Sequence, residues 1–312
     1  MEAMMKKVLL LVAAIAILAG AAMVKPIPAV KVAKVNDRIY ALLGPTELPN
    51  AHNQGYMVNS TLILGDKAAI LIDTGMSDEV GAHIKKAAGK LTKLPITHII
   101  NTHHHGDHML GNGVFEGVEI ISSENCKKLV EDTGADWIAI AESAVGRKLP
   151  NTKAIPASRT YASQTRTPVE INGVKMEFWV PEAAHTKGDM LVWLPDDKVL
   201  VAGDVLVNTT TPNFRDAEVK KWVQTLADLQ QFPAKIIIPG HGPLMSMKDA
   251  VAMHKRMADF YAGVEKVYKE GGSEADVRQK VSLKDWQKLK HFDEQMGGNI
   301  NKTWLEIETA NF

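Results

Sequence analysis

The sequence predicts an α/β (α+β) protein, and three observations carry that prediction. Apolar runs at strand spacing and at helical spacing alternate along the chain, giving the order β…βαβ and then β…βαβ again, without residue-level self-similarity between the halves. Clusters of ligand-type polar residues follow directly on the ends of several apolar strands, where a rigid sheet usually mounts functional groups. Apolar residues make up 46% of the 312 residues, so a sizeable core is available to one large domain or two ordinary ones.

Taken in order, the chain opens on Lys6 and Lys7, an apolar run from Val8 to Leu18, and the small residues Ala19, Gly20, Ala21 and Ala22. This is the basic, apolar, small-residue order of a secretory signal peptide. The run is shorter than the roughly 20 residues that a membrane span needs. The competing reading is an uncleaved anchor; no cysteine follows the run, which excludes a lipoprotein anchor. The expectation is a signal peptide over 1–21, cleavage near Ala21, and a periplasmic or secreted mature protein without a stable membrane span.

Residues 30–43 read as two short strands broken at Asn36 and Asp37, and 44–55 as a loop rich in turn formers. Two β-rich runs, 57–64 and 68–73, flank Gly65-Asp66 as a hairpin. A helix is expected over 77–91 with Ser77 as its N-cap, then a buried strand over 96–101. A strand over 117–121 precedes a helix capped by Ser122 or Ser123 and running to about Arg147, with Leu129, Trp137 and Ile140 on its apolar side. The segment 149–168 reads as irregular, closed by Pro168. Strands resume over 169–171, 174–180, 190–194 and 199–202. A helix over 216–231 carries Val219, Trp222, Val223, Leu226 and Leu229 at helical spacing, and 235–239 is a strand. After about 245 the chain is helical, with Ser273-x-x-Asp276 and Ser282-x-x-Asp285 placed to restart helices.

The chain carries 36 basic and 36 acidic residues, so it lacks the basic bias of nucleic-acid binders, and no nucleic-acid partner is expected. A single cysteine, Cys126, excludes an internal disulfide and a multi-cysteine metal site, and reads as a small buried hydrophobe.

The chemistry concentrates in His103-His104-His105-Gly106-Asp107-His108, directly after the strand 96–101. Neutral imidazole and carboxylate are good ligands for zinc and similar ions. On extended backbone, side chains two apart point the same way, so His103 and His105 can grip one ion. Asp107 and His108, past the bend at Gly106, can reach a second. Further strand-end clusters accompany this stretch: Asp73-Thr74-Gly75, His185-Thr186-Lys187-Gly188-Asp189, Gly203-Asp204, and Pro239-Gly240-His241-Gly242-Pro243. Each pairs a ligand-type residue with small residues that let an ion approach closely.

His103-x-His105-x-Asp107-His108, followed by His185, Asp204 and His241, resembles the five-motif signature of the metallo-β-lactamase superfamily, over about residues 30–245, and within it most resembles the glyoxalase II-type hydrolases. The resemblance implies a four-layer αββα sandwich as a catalytic domain over 29–245, with 246–312 as a helical extension packed on it. It implies two metal ions, as zinc, with iron or manganese also suited to these donors. His103, His105 and His185 would hold the first; Asp107, His108 and His241 the second; Asp204 would bridge both. Asp73 falls where the family has a carboxylate that orients a ligating imidazole. His104 falls at a variable position and is not expected to ligate. His52, His83, His98, His254 and His291 lack suitable neighbours and read as structural.

What the resemblance implies chemically is hydrolysis by a hydroxide shared between the metals, with Asp107 and Asp204 as the catalytic carboxylates. The expected substrate is a small ester, thioester or lactone, and the expected assembly a monomer or homodimer. Asp204 stands where true β-lactamases of this pattern carry cysteine or serine, which favours the broad hydrolases. The alternatives are a β-lactamase, true or promiscuous, a phosphodiesterase or sulfatase, and a mononuclear iron protein of the persulfide dioxygenase kind. A non-catalytic metal-binding protein is the remaining class. Substrate choice would lie in 44–55, 123–147 and 208–214. Lys255, Arg256 and Tyr261 are of the type that glutathione thioesterases use, but a periplasmic location argues against a glutathione cycle.

Overall fold

A computed structural model describes residues 25–311. The expected signal peptide over 1–21 lies outside the described residues. Two sheets form the centre. The first takes its strands in chain order: β1 (Lys31–Lys34), β2 (Ile39–Leu43), β3 (Ser60–Leu64), β4 (Ala69–Ile72), β5 (Ile96–Ile100), β6 (Glu119–Ser123) and β7 (Arg159–Tyr161). The second contains β8 (Thr165–Ile171), β9 (Val174–Val180), β10 (Leu191–Leu194), β11 (Val199–Gly203) and β12 (Ile236–Pro239), in reverse order from one edge to the other.

Strand alternation builds the layers. Ile70, Ile72, Ile100 and Ile121 of the first sheet meet Met176, Phe178, Val192, Val201 and Ile238 of the second in a shared inner core. The intervening residues point outward. Leu62, Leu71, Ile99 and Ile120 pack under α1 (Asp78–Leu91) through Val80, Ile84 and Ala88. On the far side Leu191, Trp193, Leu200 and Ile237 pack under α4 (Val219–Leu229), α5 (Met247–Lys269) and α7 (Phe292–Ala310). The helices of residues 246–311 thus share one apolar cluster with the second sheet. The outcome is the expected four-layer αββα sandwich. Between α1 and α4 lie a single turn, α2 (Gly106–Met109), and α3 (Glu124–Val145); α6 (Val277–Lys280) lies between α5 and α7.

Local chemistry explains most boundaries. Ser77 accepts the Val80 N–H and Ser123 the Cys126 N–H, capping α1 and α3. Ser246 and Asp249 form a reciprocal capping box at α5, close to the expected helical start at about 245.

Three expectations need correction. Pro168 lies inside β8 and does not close an irregular segment. β8 pairs only with β9, so a residue without an N–H is tolerated on its open edge. The buried face of α3 is Cys126, Val130, Gly134, Trp137, Ala141 and Val145, whereas Ile140 is 40% exposed. Ser282 starts no helix: Asp285 instead accepts the Lys288 ammonium at 2.6 Å, and 284–288 remain in turns. No helix of the described residues is long and apolar enough to cross a membrane.

Candidate metal centre

β4, β5 and β6 run parallel, and so do β11 and β12, so their C-terminal ends share one edge of the sandwich. Asp73 follows β4, residues 101–108 follow β5, Asp204 follows β11, and Pro239 to His241 follow β12. The loop after β9 delivers His185, and the Met190 N–H donates to the Thr102 carbonyl at 2.8 Å, tying that loop to the histidine stretch.

The predicted ligands converge in interlocking groups. Ligand atoms of His103, His105 and His185 lie within 4.8 Å of one another, as do those of Asp107, His108 and His241, and those of His103, His108 and Asp204. His185 Nε2 is 3.0 Å from His105 Nδ1, and His241 Nε2 is 3.0 Å from Asp107 Oδ2 and 3.3 Å from Asp204 Oδ2. Metal bonds of about 2.0–2.1 Å in tetrahedral geometry put ligand atoms about 3.3 Å apart, so these spacings are those of metal-ligand edges.

Four of the five imidazoles are held by one nitrogen and turn the other inward. His103 Nδ1 lies 3.1 Å from Thr102 Oγ1, which itself donates to Asp73 Oδ2 at 2.8 Å. His108 Nδ1 donates to Asp73 Oδ2 at 2.8 Å. His241 Nδ1 donates to the Met57 carbonyl at 3.0 Å, and His105 Nε2 to Asp216 Oδ2 at 2.9 Å. Such outer hydrogen bonds fix the tautomer and aim the lone pair. His103 Nε2 and Asp204 Oδ1 are buried with no hydrogen-bond partner among the described residues, a costly state unless a cation takes their lone pairs. The residues therefore fit metal.

Their electrostatics agree. Burial, reinforced by neighbouring imidazoles, holds His103 well below the usual histidine range and His185 down to about 3, leaving both neutral with free lone pairs. Around the second group, burial alone would push His241 down and Asp107 up. Mutual attraction reverses both: Asp204 and Asp107 lift His241 to about 10, and His108 with His241 hold Asp107 well below the carboxylate range. Two buried carboxylates facing inward imidazoles carry the charge that a divalent cation neutralises, displacing protons as it binds.

Backbone at the site is shaped for this packing. Asp73 adopts φ +58°, in the left-handed region, at the end of β4. A Cβ at Gly240 would sit 2.0 Å from Asp204 Oδ1 and 2.9 Å from His108 Cε1, so only glycine admits both ligands. Asn59 Nδ2 donates to the Pro239 and Gly242 carbonyls at 2.9 and 2.8 Å, and its N–H to the Gly240 carbonyl at 2.7 Å, clamping the His241 turn.

A family model described as the metallo-beta-lactamase superfamily matches residues 53–241. The chain belongs to the metallo-β-lactamase superfamily. It is accordingly a metal-dependent hydrolase. Curated relatives include a linear primary-alkylsulfatase of a Pseudomonas strain, 27% identical over 63% of this chain, and a metallo-beta-lactamase type 2 of Bacteroides fragilis, 24% identical over 68% of this chain and 79% of its own length. The match spans 43% of the alkylsulfatase's length. Among solved structures, a metallo-beta-lactamase from Pontibacter korlensis superposes with a TM-score of 0.60 at 22% identity, covering 74% of this chain and 99% of that one. One from Hirschia baltica gives 0.59 at 21%, covering 73% and 97%. These two likenesses are of fold.

Against the superfamily pattern, Asp216 and Asn59 are the residues that sequence reasoning missed. Neither sits in a motif; each acts on a ligand distant in sequence. His104 is buried beside Trp137, driven down to about 3 by burial and by His105; it groups with His105 and Asp216, whose facing atoms already bond each other. His52, His83, His98 and His254 stand apart, beside Lys25, the Pro28 carbonyl, Glu119 and Gln230. His291, with φ +61°, stands at the start of α7 and lines the cavity over the ligands.

That cavity, about 210 Å³, reaches His105, Asp107, His185, Asp204 and His241. Leu48, Met57, Trp137, Ile140, Val207 and Trp222 make its walls largely apolar. Lys255, Arg256 and Tyr261 are not among its lining residues.

Proposed function

We propose that the protein is an exported hydrolase that uses two metal ions, zinc by preference, on a small ester, thioester or lactone. The observation that carries this reading is the position of Asp204. Its Oδ2 lies 3.3 Å from His241 Nε2 and 3.7 Å from His185 Nε2, and its Oδ1 3.5 Å from His108 Nε2, so one carboxylate faces ligands of both groups. Bound metal would polarise the acyl oxygen and lower the pKa of a coordinated water toward neutrality. The chain's own residues do the rest. Asp107 and Asp204 would hold the attacking water by accepting its hydrogens, and Asp107 would take up the proton it releases. The apolar walls exclude bulk water and seat the hydrocarbon part of the substrate. Export rests on the basic, apolar and small residues between Lys6 and Ala22. A mature chain beginning at Met1, by mass spectrometry of protein from its native host, would refute it.

Sulfate-ester hydrolysis is the second reading, favoured by the alkylsulfatase relative and the apolar cavity. A panel of aryl esters, thioesters, lactones, alkyl sulfates and nitrocefin, run on wild type and on His103→Ala with Asp204→Ala, separates the readings. Acyl turnover lost in the double variant is expected. Full activity in that variant contradicts the proposal, and preferential alkyl sulfate turnover replaces it with the second reading.

A further inference from the structure

Among the described residues, Arg215 is the one lysine or arginine lining the cavity over the metal ligands. It is fixed from two sides. Its Nε donates to Asp216 Oδ2 at 3.0 Å, and its guanidinium carbon lies 4.7 Å from the centre of the Trp137 ring. Asp216 is the carboxylate that holds His105, 2.9 Å away, and the Trp137 ring packs 4.6 Å from the His105 ring. Arg215 is therefore two hydrogen bonds from a ligand of the first group. Asp216 uses only Nε. The two terminal amino groups make no hydrogen bond among the described residues, although the side chain stays half-exposed at the cavity.

A planar guanidinium, stacked and anchored through Nε, presents its remaining two amino groups as an end-on fork that matches a carboxylate. Little side-chain entropy remains to be lost when an anion docks, because the two anchors have already fixed the group. The rest of the wall is mostly apolar. Glu47, exposed at the cavity and without an ion-pair partner among the described residues, repels an anion. An anionic substrate is thereby oriented with its charge on Arg215 and away from Glu47.

We propose that Arg215 is a specificity-determining residue that binds a carboxylate carried by the substrate, so that the natural substrate is an acidic ester, thioester or lactone. The inference rests on the acyl-hydrolase reading above, and its test separates the two. Zinc-loaded wild type, Arg215→Gln and Arg215→Lys are assayed with phenyl valerate, phenyl hydrogen glutarate and 4-carboxyphenyl valerate. These place no carboxylate, one on the acyl side, or one on the leaving group. The expected result is a ratio of kcat/KM, anionic over neutral, that falls at least tenfold in Arg215→Gln for one of the acidic esters. The loss lies in KM, Arg215→Lys is intermediate, and the affected ester shows which side bears the charge. A ratio that moves less than twofold for both acidic esters overturns the proposal. If wild type hydrolyses none of the three, the acyl-hydrolase reading fails. Calorimetric titration with glutaranilic acid, the amide analogue of phenyl hydrogen glutarate, then decides the inference: a Kd raised at least tenfold in Arg215→Gln upholds carboxylate binding, and an equal Kd overturns it.

Discussion

Asp73 Oδ2 lies 2.8 Å from His108 Nδ1, and the same carboxylate takes the Thr102 hydroxyl that supports His103. One residue at the end of β4 thus aims a ligand of each metal group. Its second oxygen accepts the Thr102 N–H at 2.9 Å, fixing the start of the histidine stretch itself. Asp73→Asn keeps the size but loses the charge and one acceptor. Metal affinity should fall about 10–100-fold, as for other outer-shell partners, in a chain that still folds. Competition with a chromophoric chelator measures it. Unchanged affinity at both positions would show that the imidazoles are held by packing alone.

Asp216 does the same for His105 alone. Asp216→Asn should weaken only the group formed by His103, His105 and His185, by a similar factor. In the cobalt-substituted protein, the first equivalent lost on chelation should be the one whose spectrum the variant alters. Loss of both equivalents in parallel would assign Asp216 a general structural role.

Asn59 clamps the His241 turn through three hydrogen bonds, two of them from its side chain. Asn59→Ala leaves two buried carbonyls unsatisfied. An unsatisfied buried group costs about 1–3 kcal/mol, so urea unfolding should show a loss of that order or more. His241 should also lose metal more readily, seen as a lower metal content after dialysis. A variant with wild-type stability and wild-type metal content would remove Asn59 from the account.

Asp189 supplies a pH test. Burial pushes its carboxyl up from 3.8 to about 7, although the Thr186 N–H and hydroxyl partly oppose the rise. The folded pKa lies above the unfolded one, so the folded chain keeps a proton that the unfolded chain gives up above pH 4. The group's contribution is full below about 3.8 and is lost as pH rises through about 7. The stability of wild type relative to Asp189→Asn should therefore decline between about pH 4 and pH 7, by on the order of a few kcal/mol, and level off above. A difference independent of pH over that window would mean that Asp189 is ionised throughout.

The parts of this molecule that were legible in sequence are those written locally. Ser77 and Ser123 stand beside the helices they cap, and alternating isoleucines and leucines assign each strand two buried faces. The ligand-type residues were legible because each lies in a short polar cluster at the end of an apolar strand. Asp216 was not, because nothing beside it marks a partner 111 residues earlier in the chain. Asn59 was hidden for the same reason, since its carbonyl partners lie at residues 239, 240 and 242. Pro168 misled because a proline forbids a central strand but not an edge one, and edge position is a property of the whole sheet. The walls of the cavity come from stretches of chain scattered from Pro45 to Gln295, His291 among them, and no local pattern announces that they meet.

The most direct test is the metal content per chain of protein purified without added metal, for wild type and Asp204→Ala, alongside hydrolysis of the ester panel. Two equivalents in wild type, no more than one in Asp204→Ala, and loss of hydrolysis with the second equivalent are predicted. A single iron per wild-type chain without ester hydrolysis, or two equivalents and full hydrolysis retained in Asp204→Ala, would contradict it.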